Sequence, residues 1–138
     1  MAAARCTFCD IIAGTLSAHV VLDDDVAVAF LDHRPVFKGH VLMAPRTHVE
    51  TLPEVPDDLI APLFVRAREL AAAVERGLEA DGTFVAINNK ISQSVPHLHV
   101  HIVPRRRKDG LRGFFWPRTK YAGDEEMRGY AERIRAAL

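Results

Sequence analysis

The run His97-Leu98-His99-Val100-His101 puts three imidazoles at every second position near the end of a 138-residue chain. On an extended strand successive side chains alternate faces, so the three histidines share one face and Leu98, Val100 and Ile102 share the other. Imidazole is the side chain that titrates near neutrality, and two chemistries suit such a row: joint metal coordination, or nucleophilic and acid-base work on a phosphate. No Asp-His pair follows the run at the short spacing of metallohydrolases. Asn88, Gln93, Ser94 and His101 instead offer donors around an anion, which favours phosphoryl chemistry. The only two cysteines, Cys6 and Cys9, form a Cys-x-x-Cys pair. In a reducing compartment that spacing reads as a metal site or a redox pair before a structural disulfide.

Five strand candidates must position these groups. Val20-Val21-Leu22 and Val26-Ala-Val-Ala-Phe-Leu31 flank the acidic turn Asp23-Asp24-Asp25 as a hairpin. His40-Val-Leu-Met-Ala44 follows Gly39 and is closed by Pro45, and Phe84-Val-Ala-Ile87 and His97 to Val103 supply the fourth and fifth. Short links make most of them antiparallel neighbours. Leu59, Leu63, Leu70, Val74 and Leu78 recur at helical spacing and predict one long helix that covers a sheet face. Asp57 and Asp58 suit its positive end, Gly82 follows it, and Pro62 is expected to kink or delay its first turns. A weaker helical pattern runs from about Asp124 to Leu138.

Hydrophobic residues make up 49% and charged residues 26% of the chain, ordinary values for a globular domain. Eighteen basic against eighteen acidic residues give no general attraction to nucleic acid or anionic membranes, so an anion must be bound locally. No recognised nucleic-acid motif is present. The absence of a signal-like or membrane-length apolar stretch makes the cytoplasm the expected location.

The chain resembles the histidine triad (HIT) family, whose signature His-x-His-x-His plus two apolar residues is met by His97 to Val103. Cys6-Thr-Phe-Cys9-Asp-Ile-Ile-Ala-Gly14, Ala29-Phe-Leu-Asp32, Lys38-Gly-His-Val-Leu42 with Pro45, Thr47-His48, Asn88-Asn89 and Gln93-Ser-Val-Pro-His97 fall in family order. It is most similar to bacterial members of the Hint branch, with some features of Fhit-type dinucleoside polyphosphate hydrolases. The resemblance implies an α+β HIT-like fold: a five-stranded antiparallel sheet, one long helix and shorter terminal helices. One domain spans 1–138, with a core of about 6–104 and an extension of 105–138, and two copies pair as a homodimer.

The same resemblance implies the roles. His99 attacks the α-phosphorus of a nucleotide and forms a nucleotidyl-histidine intermediate. His101, Ser94, Asn88 and Gln93 contact the phosphate, and His40 orients the triad. Asp32 accepts from the ribose hydroxyls, and Leu31 and His33, with Ile11 and Ile12, border the base. The substrate is a nucleoside phosphoramidate, nucleoside phosphosulfate or dinucleoside polyphosphate, and the product a nucleoside monophosphate such as AMP. Water or another acceptor, such as inorganic phosphate, takes the nucleotidyl group. A nucleotide-binding sensor or scaffold with incidental turnover is the alternative from another class.

Relatives with the Cys-x-x-Cys pair use it with two histidines to bind structural zinc, and the matching residues are Cys6, Cys9, His48 and His97. Under this reading His97 belongs to the triad and also holds metal, and a zinc-dependent hydrolase is the competing assignment. The chain departs from the family before the triad. Asn-Asn-Gly and Ala-Gly-Gln of many bacterial relatives become Asn88-Asn-Lys-Ile-Ser-Gln93, about two residues shorter and without glycine. Arg105-Arg-Arg-Lys108 and Phe114-Phe-Trp-Pro117, in the basic and aromatic segment 105–118, read either as a solvated turn and packed tail or as a segment over the site that selects a longer polyphosphate.

Overall fold

A computed structural model describes residues 5–111 and 118–138. The chain divides into two compact units, Met1–Arg107 and Lys108–Leu138. Of the segment 105–118, residues 112–117 lie outside the described residues. Among the described residues no helix is long and apolar enough to cross a membrane.

The first unit is α+β. Strands β1 (Val20–Asp23), β2 (Ala27–Leu31), β3 (Val41–Pro45), β4 (Gly82–Ala86) and β5 (Val100–Arg105) form one antiparallel sheet in the order β1-β2-β3-β5-β4. The Asp23-Asp24-Asp25 turn joins β1 to β2 as expected, and Asp24 Oδ1 accepts from the backbone N–H groups of Val26 and Ala27. Helix α1 (Thr7–Ile12) precedes the sheet and the long helix α2 (Asp57–Leu78) links β3 to β4.

Alternation along the strands divides the interior into two clusters. Ala27, Ala29, Val41, Met43, Leu98, Val100 and Ile102 pack with Leu63, Ala67, Leu70 and Val74, the buried stripe of α2 at i, i+4, i+7, i+11. On the opposite face Val28, Phe30, Leu42 and Ala44 pack with Phe8 of α1. The histidine face therefore carries a small apolar cluster of its own.

Three boundaries differ from the sequence reading. Helix α2 begins at Asp57 and runs through Pro62, because the negative first turn Asp57-Asp58 offsets the lack of a side-chain cap and tertiary packing holds the helix across the missing N–H. Its end is capped by Glu79 in the left-handed conformation (φ 53°), while Gly82 opens β4. Strand β5 starts at Val100, three residues after the expected His97. Residues 97–99 lie opposite the end of β3, where Pro45 has no N–H to donate, so the β3–β5 ladder stops at Met43 and Val100.

Gly39, just ahead of β3, has φ +98°, and a Cβ there would overlap Leu78 Cδ1 at the end of α2. Gly39→Ala is expected to destabilise the fold by about 1–2 kcal/mol, the cost of a left-handed alanine. Urea unfolding measures it. Leu78→Ala added to Gly39→Ala relieves only the overlap, so a double variant that regains wild-type stability refutes the backbone origin of the loss.

Candidate functional site

The histidine-bearing segment is held by its backbone as well as by the sheet. The Leu98 N–H donates to the Val49 carbonyl (2.7 Å), which keeps 97–99 extended ahead of β5. His101 sits within β5 opposite Leu42, and His40 immediately precedes β3. His40, His97 and His99 are buried, and His101 is half-buried.

Hydrogen bonds assign the tautomers. The His99 Nδ1–H donates to the carbonyl of His97 (2.8 Å), which leaves Nε2 with its lone pair. The backbone N–H of Val36 donates to His40 Nδ1 (3.1 Å), so the His40 proton is on Nε2, which donates to His101 Nδ1 (3.0 Å). His101 in turn carries its proton on Nε2. One imidazole of the run is thus a lone-pair donor and the next an N–H donor, with ring centroids 4.9 Å apart. Burial depresses the pKa of His99, against the raising effects of the His97 carbonyl and Asp32, and the ring is neutral where a nucleophile needs it. Burial likewise depresses His40, with Asp32 opposing and His99 adding to the effect.

His101 falls furthest, from an ordinary 6.5 to about 4, through burial and then the neighbouring His99 and His40, with Asp32 opposing. Above pH 6.5 this ring is neutral folded or unfolded and stability does not depend on it. Between pH 6.5 and about 4 the unfolded chain takes up a proton that the native ring refuses, so stability is lost as pH falls through that window. Melting temperature should drop from pH 7 to pH 5, and His101→Asn should flatten the decline. An unchanged slope in the variant would remove His101 as its source.

Leu31, Asp32 and His33, expected around the nucleoside, line one cavity of about 440 Å³ with Ile11, Phe30 and Leu42. Asp32 Oδ1 accepts from the Arg34 N–H (2.9 Å) and Oδ2 lies 3.7 Å from His40 Nδ1, so this carboxylate joins the cavity to the histidine relay. Phe8 joins them again. Its ring lines the cavity and meets His99 edge-on at 4.8 Å and His97 at 6.0 Å. Sequence reading gave Phe8 no role; its place between Cys6 and Cys9 was the available signal.

Asn88, Gln93 and Ser94 lie on the loop before the triad and are not among the residues lining this cavity. Asn88 and Ser94 are exposed. Gln93 is engaged at both ends of its amide: Nε2 donates to the Glu50 carbonyl (2.6 Å) and Oε1 accepts from the Lys90 N–H (2.8 Å). Lys90 (φ 70°) and Ser92 (φ 60°) are left-handed, a conformation this loop reaches without glycine.

Cys6, Cys9, His48 and His97 form the second cluster, with one potential ligand atom each and all four atoms within 4.8 Å of one another. His97 Nε2–H donates to the Pro45 carbonyl (2.8 Å), which turns Nδ1 toward Cys6 Sγ (3.5 Å), Cys9 Sγ (3.6 Å) and His48 Nδ1 (3.1 Å). Bonds of about 2.0 Å to nitrogen and 2.3 Å to sulfur give a tetrahedron with edges of about 3.3–3.8 Å, close to these separations. Without a cation the Cys9 thiol is pushed up to about 11 by burial, Cys6 and Asp10. A divalent ion reverses that preference, and the donor set fits one. Cys6 also caps α1, its Sγ accepting from the Cys9 N–H (3.4 Å).

With this fold and this site on a histidine triad, the chain belongs to the HIT family: the HIT domain model matches residues 13–108. An uncharacterized HIT-like protein of Saccharolobus solfataricus is 37% identical over 96% of this chain and 94% of its own length. A Saccharomyces cerevisiae adenosine 5'-monophosphoramidase is 35% identical over 78% of this chain and 68% of its own. An adenylylsulfatase of Arabidopsis thaliana is 32% identical over 77% and 55%. Among solved structures, a HIT family member from Bacillus subtilis matches with a TM-score of 0.87 at 35% identity, covering 98% of both chains. A zinc-bound histidine triad protein from Mycobacterium smegmatis matches at 0.73 and 32%, covering 96% of this chain and 97% of that one. Relatives in the family thus include nucleotide hydrolases.

Proposed function

We propose that the protein is a nucleotidyl hydrolase or transferase acting at the α-phosphate of nucleoside phosphoramidates, nucleoside phosphosulfates or dinucleoside polyphosphates, with His99 as nucleophile. The observation that carries this reading is the bond from His99 Nδ1–H to the His97 carbonyl, which in the neutral ring places the lone pair on Nε2. Attack by Nε2 forms an N–P bond as the bond from phosphorus to the leaving group breaks. The imidazole of His101, polarised by His40, donates Nε2–H to the phosphate oxygens as charge builds on them. Water then cleaves the N–P bond and releases the nucleoside monophosphate, AMP where the base is adenine, and His99 recovers its neutral ring. Phosphate in place of water makes the enzyme a transferase.

Asp32 accepts from the ribose hydroxyls, and Leu31 and His33 border the base in the cavity they share. Ser94 and Asn88 contribute donors from the loop, whose shape Gln93 maintains. Structural zinc held by Cys6, Cys9, His48 and His97 braces α1 against the triad, a reading supported by the spacing of the four donors and the zinc-bound relative. Four protein ligands leave no position for activated water, so the metal supplies stability and placement. The homodimer and the cytoplasmic setting belong to the same proposal.

Incubation with adenosine 5'-phosphoramidate labelled at phosphorus, quenched in alkali where a phosphohistidine-type bond survives, tests it. Label on the peptide that contains His99, lost on acid treatment, is the expected result. Turnover with no label on that peptide at any quench time rules the covalent route out.

A further inference from the structure

Cys6 and Cys9 bring two sulfurs to the four-donor cluster and are the only cysteines of the chain. Both are half-buried, and His48, whose Nδ1 lies 3.3 Å from Cys9 Sγ, is exposed, so small solutes reach the cluster from solvent. A metal holds its thiol ligands as thiolates, the form that reacts with peroxides. Cys6 caps α1 and Cys9 lies in its first turn, where the Cys9 N–H donates to Cys6 Sγ (3.4 Å). Cα atoms three residues apart at the start of a helix are about 5–6 Å from each other, within the span of a disulfide. The two sulfurs can thus serve as two ligands or as one bond, but not both: a disulfide bond is about 2.0 Å long and leaves no thiolate charge for a cation.

We propose that Cys6 and Cys9 are a site of reversible oxidation by hydrogen peroxide, and that closing their disulfide expels the ion and unseats Phe8 from His99. The inference rests on the structural-zinc reading above. One thiolate attacks the O–O bond of the peroxide, becomes a sulfenic acid and releases hydroxide. The other thiolate attacks the sulfenic sulfur, forms the S–S bond and releases a second hydroxide, and two protons from solvent turn both hydroxides into water. The sulfurs give up two electrons in all and the O–O bond takes them. His48 and His97 then remain as the protein's donors, half of the set a structural zinc site requires. Helix α1 has six residues, too few to persist without tertiary support, and the ion is what ties its two sulfurs to the histidine strand. Phe8 lies between those sulfurs in the chain and is buried, edge-on to His99 at 4.8 Å and to His97 at 6.0 Å. Oxidation at the thiols is thereby felt at the nucleophile.

Peroxide treatment of the full-length protein, after its zinc content has been measured, tests this. Expected results are release of zinc to a chromogenic indicator, loss of two hydrogens per chain by mass spectrometry, a Cys6 to Cys9 cross-link within one peptide, and faster amide exchange over Thr7–Ile12. The value of kcat/KM for a nucleoside phosphoramidate should fall by about tenfold or more, as the nucleophile loses its placement. A thiol reductant with added zinc should restore every one of these. In Phe8→Leu, where the link to His99 is already cut, the same treatment should release zinc as before and change kcat/KM by less than about threefold. Protein that holds no zinc before treatment defeats the structural-zinc reading and this inference with it. Zinc-loaded protein that keeps its ion under peroxide, oxidation to sulfinic acid in place of the cross-link, a cross-link between chains, zinc release with kcat/KM unchanged, or a full loss of activity on oxidation of Phe8→Leu overturns this inference and leaves that reading standing.

Discussion

Alanine in place of His99 is expected to lower kcat for a nucleoside phosphoramidate by about 10⁴-fold or more while leaving KM within a few-fold of wild type. The asymmetry follows from the geometry. Apolar walls and Asp32 form the cavity proposed for base and ribose, so on that reading ground-state binding does not need the nucleophile. The bond to the His97 carbonyl gives His99 one task, to present Nε2, and its neighbour on the strand is not held in that tautomer: His101 accepts at Nδ1 from His40 and carries its proton outward. His101→Ala should therefore cost less, about 10²–10³-fold, the usual loss when one donor to a developing anion is removed. Steady-state rates with one substrate across the two variants measure both numbers. A His99→Ala enzyme that turns over within tenfold of wild type means that another group attacks. A wild-type enzyme that binds nucleotide and does not turn over any member of the substrate panel favours the sensor or scaffold.

Removal of metal has the second large effect. Zinc stripped by a strong chelator, or prevented from binding by Cys9→Ser, should lower the melting temperature by more than about 10 °C, because binding energy at a preformed four-ligand site is folding energy of several kcal/mol. The loss begins at α1. Cys6 caps that helix and Cys9 lies inside it, so without the ion their sulfurs are left crowded against His48 and His97, and the segment that carries Phe8 is released. Phe8 packs against His99 and walls the cavity proposed for the nucleoside, so activity should decline in parallel with folding. Calorimetry, metal analysis at one ion per chain and rate measurements on the same samples test this. Activity lost while the melting curve stays fixed would identify a catalytic metal instead.

The parts of the molecule legible in the sequence are those where one residue type carries one physical demand. Titratable rings at alternate positions marked the triad, and thiols three apart marked half of the metal cluster. Apolar residues every three or four positions marked α2. Features that depend on what lies across space were not legible. The start of β5 is set by Pro45, 55 residues before Val100, through an N–H that proline lacks. Gln93 reads as a phosphate donor, and nothing in the sequence announces that one N–H of its amide goes to the Glu50 carbonyl and its oxygen to the Lys90 N–H. Phe8 receives no role from the sequence because nothing in an apolar ring announces that its edge will face His99. The left-handed Glu79 escaped because glycine is the usual sign of that conformation, and Gly82 stood close by.

The loop before the triad shows that a left-handed turn does not need glycine as its sign. A left-handed Lys90 or Ser92 strains the native state by about 1–2 kcal/mol, whereas glycine at the same position loses about 0.5–1 kcal/mol more chain entropy on folding. The two terms oppose, so a left-handed lysine or serine there costs about 0.5–1 kcal/mol relative to glycine. That cost is small enough for the rest of the fold to absorb. A signature that demanded glycine at every left-handed position would pass over a loop such as this one, which reaches that conformation with lysine and serine.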